Sequence, residues 1–258
     1  EVTKDLADWQ KQGEYPETED DFLAVVKSRK FFDMDAINEM RRNVRQPVLP
    51  SGKDDLSRKY SGLVKIFQLP VIGEKYLVAT DPSDGKEDPH GIIVLDKGGN
   101  QVAESHGKTP ADLCAQIHHD LIILYNNALN TFELNARAGG IFLEKLELLE
   151  TPNQAKSITI KGGDLKVDDK NHGWWTSGQL LDKLLWNLEE GVRLRQLNIC
   201  SKDCLDEMAN FIVPEGGQPQ KVKGGHDDYI DALSRVWFLK RFLKTGVKSM
   251  MSFSYKET

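Results

Sequence analysis

The chain has 258 residues and a formal net charge of −6, from 34 Lys+Arg against 40 Asp+Glu, with 39% hydrophobic and 29% charged residues. These proportions describe a folded globular protein and exclude a disordered, collagenous or fibrous chain. The longest apolar runs, such as LIIL and GIIVL, are too short to span a bilayer, no charged-then-apolar leader opens the chain, and the acidic balance argues against an indiscriminate nucleic-acid binder. Cys114, Cys200 and Cys204 make no disulfide framework, and the lone Cys200–Cys204 pair lacks the partners a structural zinc site needs, so a reducing compartment fits. Glu1 opens the chain without a methionine, which suggests a piece of something longer.

Residues 1–60 differ from the rest: EYPETEDDF is acidic, and MDAINEMRRNVRQPVLPSGKDD is a short helical pattern followed by turn residues. They are expected to be a linker and the trailing end of a missing domain, followed by one folded domain over 61–245 and a tail over 246–258. LVKIFQLP, KYLVATD and HGIIVLD are successive strand patterns, and the GGN turn at 98–100 leads into a further strand, QVAESHG. Thr109-Pro110 is a helix start, a hydroxyl cap with Pro in the first helical position. The helix it opens carries Leu113, Ile117, Leu121 and Leu124 at helical spacing. ALNTFELN is a strand with Glu133 near its end, followed by a helix from about Ala138. KSITIKGGD is a short strand entering a flexible basic loop. TSGQLLDKLLWNLEEG is an amphipathic helix with Thr176 or Ser177 as cap and Gly191 as stop. LRQLNI resembles a strand and SKDCLDEMANF a short helix. HDDYIDALSRVWFLKRFLK closes the domain as a helix whose acidic first turn suits the macrodipole.

Antiparallel strands joined by tight turns, then strands alternating with helices, make an α/β fold with a mixed sheet covered by helices on both faces. This is the arrangement of the ribonuclease H fold, in which three antiparallel strands are extended by parallel ones. The first strand of that set lies centrally, with the fourth beside it.

That topology gathers acidic residues. Asp81 ends one strand in VATDPSDG, Glu133 ends another in NTFELN, and Asp227, Asp228 and Asp231 crowd the start of the last helix in GGHDDYIDAL. Each alone is an ordinary turn or cap residue. Together, at three matched positions of the fold, they repel one another unless a hard divalent cation joins them. Two such ions about 3.5–4 Å apart can activate a water and stabilise the leaving oxygen of a phosphodiester.

The same residues resemble a family, the nuclease domain of the large terminase subunit of tailed bacteriophages, over roughly Tyr15 to Leu239. EYPETEDDF and FFD (31–33) look like the junction between the family's packaging ATPase and its nuclease. VATDPSDGKEDPHGIIVLD is similar to the family's first hairpin, which implies Asp81 as a metal ligand and Asp88 as an accessory acid. FELNARAGG is similar to its second motif and implies Glu133. GGHDDYIDAL is the most specific match; within it Asp228 is favoured as the main ligand because its spacing to Asp231 resembles that of Holliday-junction resolvases, with Asp227 nearly equal and Asp231 accessory. HGWWTSGQLLDKLL resembles the segment before a family helix. The resemblance implies a two-metal endonuclease using magnesium or manganese, which cuts concatemeric viral double-stranded DNA during packaging with little sequence preference. It further implies an ATPase domain in the full-length chain, the portal protein and small terminase subunit as partners, no membrane, and a host-cytoplasmic location docked on the procapsid. A non-catalytic portal or DNA docking module, and a junction-resolving nuclease of the same fold, are the competing readings.

HGKT (106–109) imitates a phosphate loop, but the first glycine of G-x-x-x-x-G-K-S/T would fall on Val102. DPSDG resembles the first phosphate loop of actin-like ATPases, but the duplicated half is missing. Lys161, Lys166 and Lys170 fall in KGGDLKVDDKNHGWW, and Lys221 and Lys223 precede His226; both stretches are expected to flank the carboxylates and meet backbone phosphates. His226 is a candidate to assist a metal-bound water. Trp174 and Trp175 are expected to pack, since a duplex offers no free base face. Lys240, Arg241, Lys244 and Lys248 form a helix-end cluster suited to the dipole or to the portal.

Overall fold

The computed structural model describes residues 29–48 and 55–243; EYPETEDDF, Lys244, Lys248 and the tail lie outside them. A five-stranded sheet runs in the order β2 (Val64–Ile66), β5 (Gln101–Gly107), β4 (His90–Asp96), β3 (Tyr76–Asp81), β6 (Leu129–Phe132). β3 pairs antiparallel with β4 and parallel with β6. This is the expected mixed sheet, with β3 inside it and the strand leading to Glu133 beside it. LVKIFQLP supplies a fourth antiparallel strand, and among the described residues β6 is the one parallel strand of this sheet.

Strand periodicity decides which face each residue serves. Leu77, Ala79, Ile93 and Leu95 face a core made with α1 (Met34–Arg41), α5 (Gly178–Arg193), α6 (Lys202–Ala209) and α7 (Asp228–Leu243). Tyr76, Val78, Ile92 and Val94 face the opposite core, closed by α2 (Leu56–Lys59), α3 (Ala111–Leu124) and α4 (Ala136–Leu148). Two further residues along β3 from Ala79, the same alternation turns Asp81 towards α7 and Thr80 towards α3. No described helix is long and apolar enough to cross a membrane.

Several local expectations yield to packing. Residues 29–41, expected to be a linker, are built into the domain: Phe31, Phe32, Ile37 and Met40 lie in the α7-side core. β1 (Arg29–Lys30) pairs with β9 (Phe211–Val213), which also pairs with β10 (Gln220–Lys221). The flexible basic loop after KSITI is an antiparallel hairpin, β7 (Lys156–Lys161) and β8 (Asp164–His172), turning at Gly162 and Gly163. LRQLNI makes no strand; a single parallel bridge joins Asn198 to Asn100. Thr109 does not cap α3: its hydroxyl is buried on His90 Nδ1 at 2.9 Å, and Pro110 takes the cap position. Ser177 caps α5, but Gly191 does not stop it. The helix runs on to Arg193, because a Cβ at Gly191 would meet the Trp237 ring at 2.5 Å and glycine is what lets α5 and α7 touch.

A second close approach lies at the Asp81 end of the sheet. A Cβ at Gly91 in β4 would lie 2.2 Å from the carbonyl oxygen of Asp228. Gly91→Ala is therefore expected to push the start of α7 off the sheet and to destabilise the protein by about 1–3 kcal/mol, as overpacking does. Urea unfolding checks it; a midpoint equal to wild type would show that α7 is free to shift.

Candidate metal centre

Asp81 and Glu133 end neighbouring parallel strands on the same face, and α7 crosses them. One carboxylate oxygen each from Asp81, Glu133 and Asp231 lie within 4.8 Å of one another. The helix therefore presents Asp231, the residue expected to be accessory. Asp228, favoured from sequence as the main ligand, sits one helical turn earlier and faces His106, Glu207 and His226 instead. The reason is geometric. Residues three apart on a helix are offset by about 60° in azimuth and about 4.5 Å along the axis, so they address different strands. Asp227 lies outside the three-residue group, its Oδ1 accepting a hydrogen bond from Lys221 Nζ at 2.9 Å, while its carbonyl accepts from the Asp231 amide.

At the centre of the group is Arg235, which the sequence reading missed. It is fully buried, donates from Nη1 to the Asp231 carbonyl at 2.7 Å and from Nη2 to Thr176 Oγ1 at 3.1 Å, and ion-pairs with Glu133. Its signal was present: Arg235 follows Asp231 by four, one helical turn, on an otherwise apolar stretch.

The electrostatics are those of a site short of positive charge. Burial, the Asp231 charge and the neighbouring Glu133 push the Asp81 carboxyl well above the usual carboxylate range, against the pull of Arg235. Burial likewise raises Asp231 to about 7; Arg235 opposes this, and the Asp227, Glu133 and Asp228 charges add to it. Glu133 goes the other way. Burial would raise it, but Arg235 and hydrogen bonds from Asp81, Thr176 and Arg235 hold it below its ordinary value. One guanidinium offsets one of three carboxylates; a divalent cation would offset the other two. Three carboxylate oxygens at this spacing suit a hard ion such as magnesium, whose ligands stand about 3–4 Å apart.

The frame behind the carboxylates is polar and satisfied. His118 of α3, fully buried, bonds Thr80 Oγ1 of β3 at 2.7 Å through Nδ1 and Asn130 Oδ1 of β6 at 3.2 Å through Nε2. It ties together the two strands that end in Asp81 and Glu133. Burial depresses it to about 3, so the ring is neutral and can serve both partners. Trp174 packs in the core, as expected, and bridges Glu133 in the backbone; Trp175 is exposed.

The other expected residues divide by place. Asp88 lies exposed in the β3–β4 loop, near enough for its charge to act on Lys221 but outside the carboxylate group. His226 Nδ1 lies 3.5 Å from Asp228 Oδ2 and does not join Asp81. Lys221 and Lys223 belong to the stretch entering α7, and Lys170 lies near the root of the β7–β8 hairpin, whose chain returns to Glu133 at Trp174. Lys161 and Lys166 do not flank the carboxylates. The hairpin tip shares a groove with Trp186, Lys240 and Arg241, at the far end of α7, about 15 Å along the helix from Asp231.

No family model and no curated protein sequence matches the chain. Solved structures do. The large terminase nuclease of thermophilic phage G20c with bound magnesium aligns with TM-score 0.57 and 16% identity, over 79% of this chain and 96% of that one. The nuclease domain of the Thermus phage P74-26 large terminase aligns with TM-score 0.55 and 15% identity, over 79% and 94%. A mutant nuclease domain of the large terminase subunit gp2 of bacterial virus Sf6, with manganese and beta-thujaplicinol, aligns with TM-score 0.52 and 12% identity, over 81% and 98%. The chain thus has the ribonuclease H-like fold of these large terminase nuclease domains.

Proposed function

We propose that this chain is a metal-dependent endonuclease that hydrolyses phosphodiester bonds of double-stranded viral DNA during genome packaging. One observation carries the reading: Asp81, Glu133 and Asp231, from three elements far apart in sequence, converge to within 4.8 Å around a single buried arginine. The likeness to terminase nucleases solved with magnesium and manganese supports it. Asp81, Glu133 and Asp231 would hold one or two magnesium or manganese ions, which supply a Lewis acid for the phosphoryl oxygen and lower the pKa of a bound water. Arg235 keeps Glu133 ionised and fixes the height of α7, so the carboxylates present their oxygens in one constellation. Lys221 and Lys223 in the stretch entering α7, and Lys170 near the root of the β7–β8 hairpin, would supply positive charge to phosphates on either side of the scissile bond. Such contacts read backbone rather than base edges, which gives little sequence preference. With a net charge of −6 the chain depends on delivery: a packaging ATPase in the same polypeptide, the small terminase subunit and the portal, at a procapsid in the host cytoplasm.

Supercoiled plasmid incubated with the protein is expected to be nicked and linearised with magnesium or manganese and left intact with EDTA. Intact plasmid with both metals at low salt and high protein concentration would overturn the reading and leave a docking module. Preference for branched over linear or circular duplexes would move it to junction resolution.

A further inference from the structure

The same end of the sheet carries a second group of metal-ligating atoms that the cleavage reaction does not use. His106 in β5, Asp228 at the start of α7 and Glu207 in α6 each offer one ligand atom, and the three lie within 4.8 Å of one another. His226 stands at the edge of this group rather than in it. Its Nδ1 stands 3.5 Å from Asp228 Oδ2, and His106 Nε2 stands 3.5 Å from the same oxygen.

Two of these atoms lack a hydrogen bond. The Asp228 side chain is 7% exposed, and its Oδ2, like His106 Nε2, is sealed from solvent with no hydrogen bond. A buried carboxylate oxygen that faces two ring nitrogens without a hydrogen bond is poorly compensated for its desolvation. The spacing suits an ion between them: two ligands on a tetrahedral ion with bonds of about 2.0–2.1 Å stand about 3.3–3.4 Å apart. Neighbours hold the ligands in place. His106 stacks on the Tyr229 ring at 4.4 Å, Tyr229 donates to Glu104 Oε1 at 3.1 Å, and Glu207 Oε1 accepts from the Ile230 amide at 2.9 Å. Such outer contacts orient metal ligands before the ion arrives.

We propose that His106, Asp228 and Glu207, with His226 at their edge as fourth donor, form a second divalent-cation site that takes zinc or cobalt in preference to magnesium. Imidazole nitrogens suit those ions, whereas the all-carboxylate centre suits hard ones. The two sites are separate: Asp81 pairs with Gly91 and Gly91 with His106, which puts them two strands, about 10 Å, apart. A cation here would tie the segment entering α7 to β5 and α6, and so hold the helix that brings Asp231 to Asp81.

The test is a cobalt titration of the metal-free Asp81→Asn protein, in which the carboxylate centre is disabled, followed by visible absorption. One cobalt with the strong absorption of four-coordinate nitrogen and oxygen ligation is expected, displaced by equimolar zinc and unmoved by millimolar magnesium. His106→Gln and His226→Gln in that background should each weaken cobalt by at least about 10-fold. His226 is half-exposed, so its variant stays informative if His106→Gln misfolds. No such cobalt in the Asp81→Asn protein, or a cobalt spectrum and affinity indifferent to the histidine substitutions, would overturn the site. The readout does not depend on DNA cleavage, so it stands or falls apart from the nuclease reading.

Discussion

Asp81→Asn and Asp231→Asn are each expected to reduce plasmid cleavage at least roughly 100-fold, equivalent to about 2.7 kcal/mol of transition-state stabilisation, while leaving the metal-free protein as stable as wild type or slightly more so. The two effects have one cause. At moderate dielectric, two unit charges about 4 Å apart would repel by roughly 4 kcal/mol, so with three carboxyl groups against one guanidinium the apo site holds Asp81 and Asp231 well above the usual carboxylate range. A neutral amide at either position therefore costs the metal-free protein little and removes a ligand when metal is present. Magnesium should then stabilise wild type by mass action, about 2.7 kcal/mol at a hundred times its dissociation constant, and the variants far less. Asp228→Asn separates the two possible readings of the GGHDDYIDAL segment. Because Asp228 faces His106 rather than Asp81, this variant should keep the magnesium-dependent rise in melting temperature. Melting curves with and without magnesium decide it; if Asp228→Asn loses that rise and Asp231→Asn retains it, the assignment of Asp231 to the centre is wrong.

That reversal also shows where sequence reasoning stopped. The strands carrying Asp81 and Glu133 were legible because alternation and turn residues mark them locally, and their adjacency follows from the fold. Which acid of the last helix joins them depends on its rotation about its own axis. That rotation is set by contacts remote in sequence: the approach of Gly91 to the Asp228 carbonyl, the packing of Gly191 on Trp237, and the bond from the Ile230 amide to Glu207. A helical pattern reports an apolar face, but α7 is buried nearly all round, from Tyr229 to Leu239, so the pattern points nowhere in particular. The β7–β8 hairpin was missed for the opposite reason. Its residues are polar and glycine-bearing and resemble a loop, and the ladder forms because Ile158, Leu165 and Val167 find the core. The Thr109 hydroxyl suits a helix cap by type, but in the fold it bonds buried His90 instead.

Arg235→Met is expected to be the most destabilising single change in the domain. The methionine matches much of the arginine's length, so little packing is lost, and the effect isolates the charge. Without the guanidinium, Glu133 keeps its burial but loses its ion pair, Thr176 Oγ1 and the Asp231 carbonyl lose donors, and three carboxylates face one another with no counter-charge. Removing one partner of a buried ion pair costs about 3–5 kcal/mol. For a chain of this size that lowers the melting temperature by roughly 6–20 °C, at about 2–4 °C per kcal/mol. Arg235→Lys should fall between, since an ammonium keeps the charge but cannot reach Thr176, Asp231 and Glu133 together as a planar fork does. Divalent cation discriminates between an electrostatic and a purely packing role. If Arg235 serves as the standing counter-charge of the centre, magnesium should restore a larger share of stability to Arg235→Met than it adds to wild type, because the ion then neutralises carboxylates that nothing else does. If the loss were only of packing, magnesium would shift both proteins equally. Thermal and urea unfolding of wild type, Arg235→Lys and Arg235→Met, each with and without magnesium, measure that difference directly, and a parallel shift in all three would remove Arg235 from the electrostatics of the site.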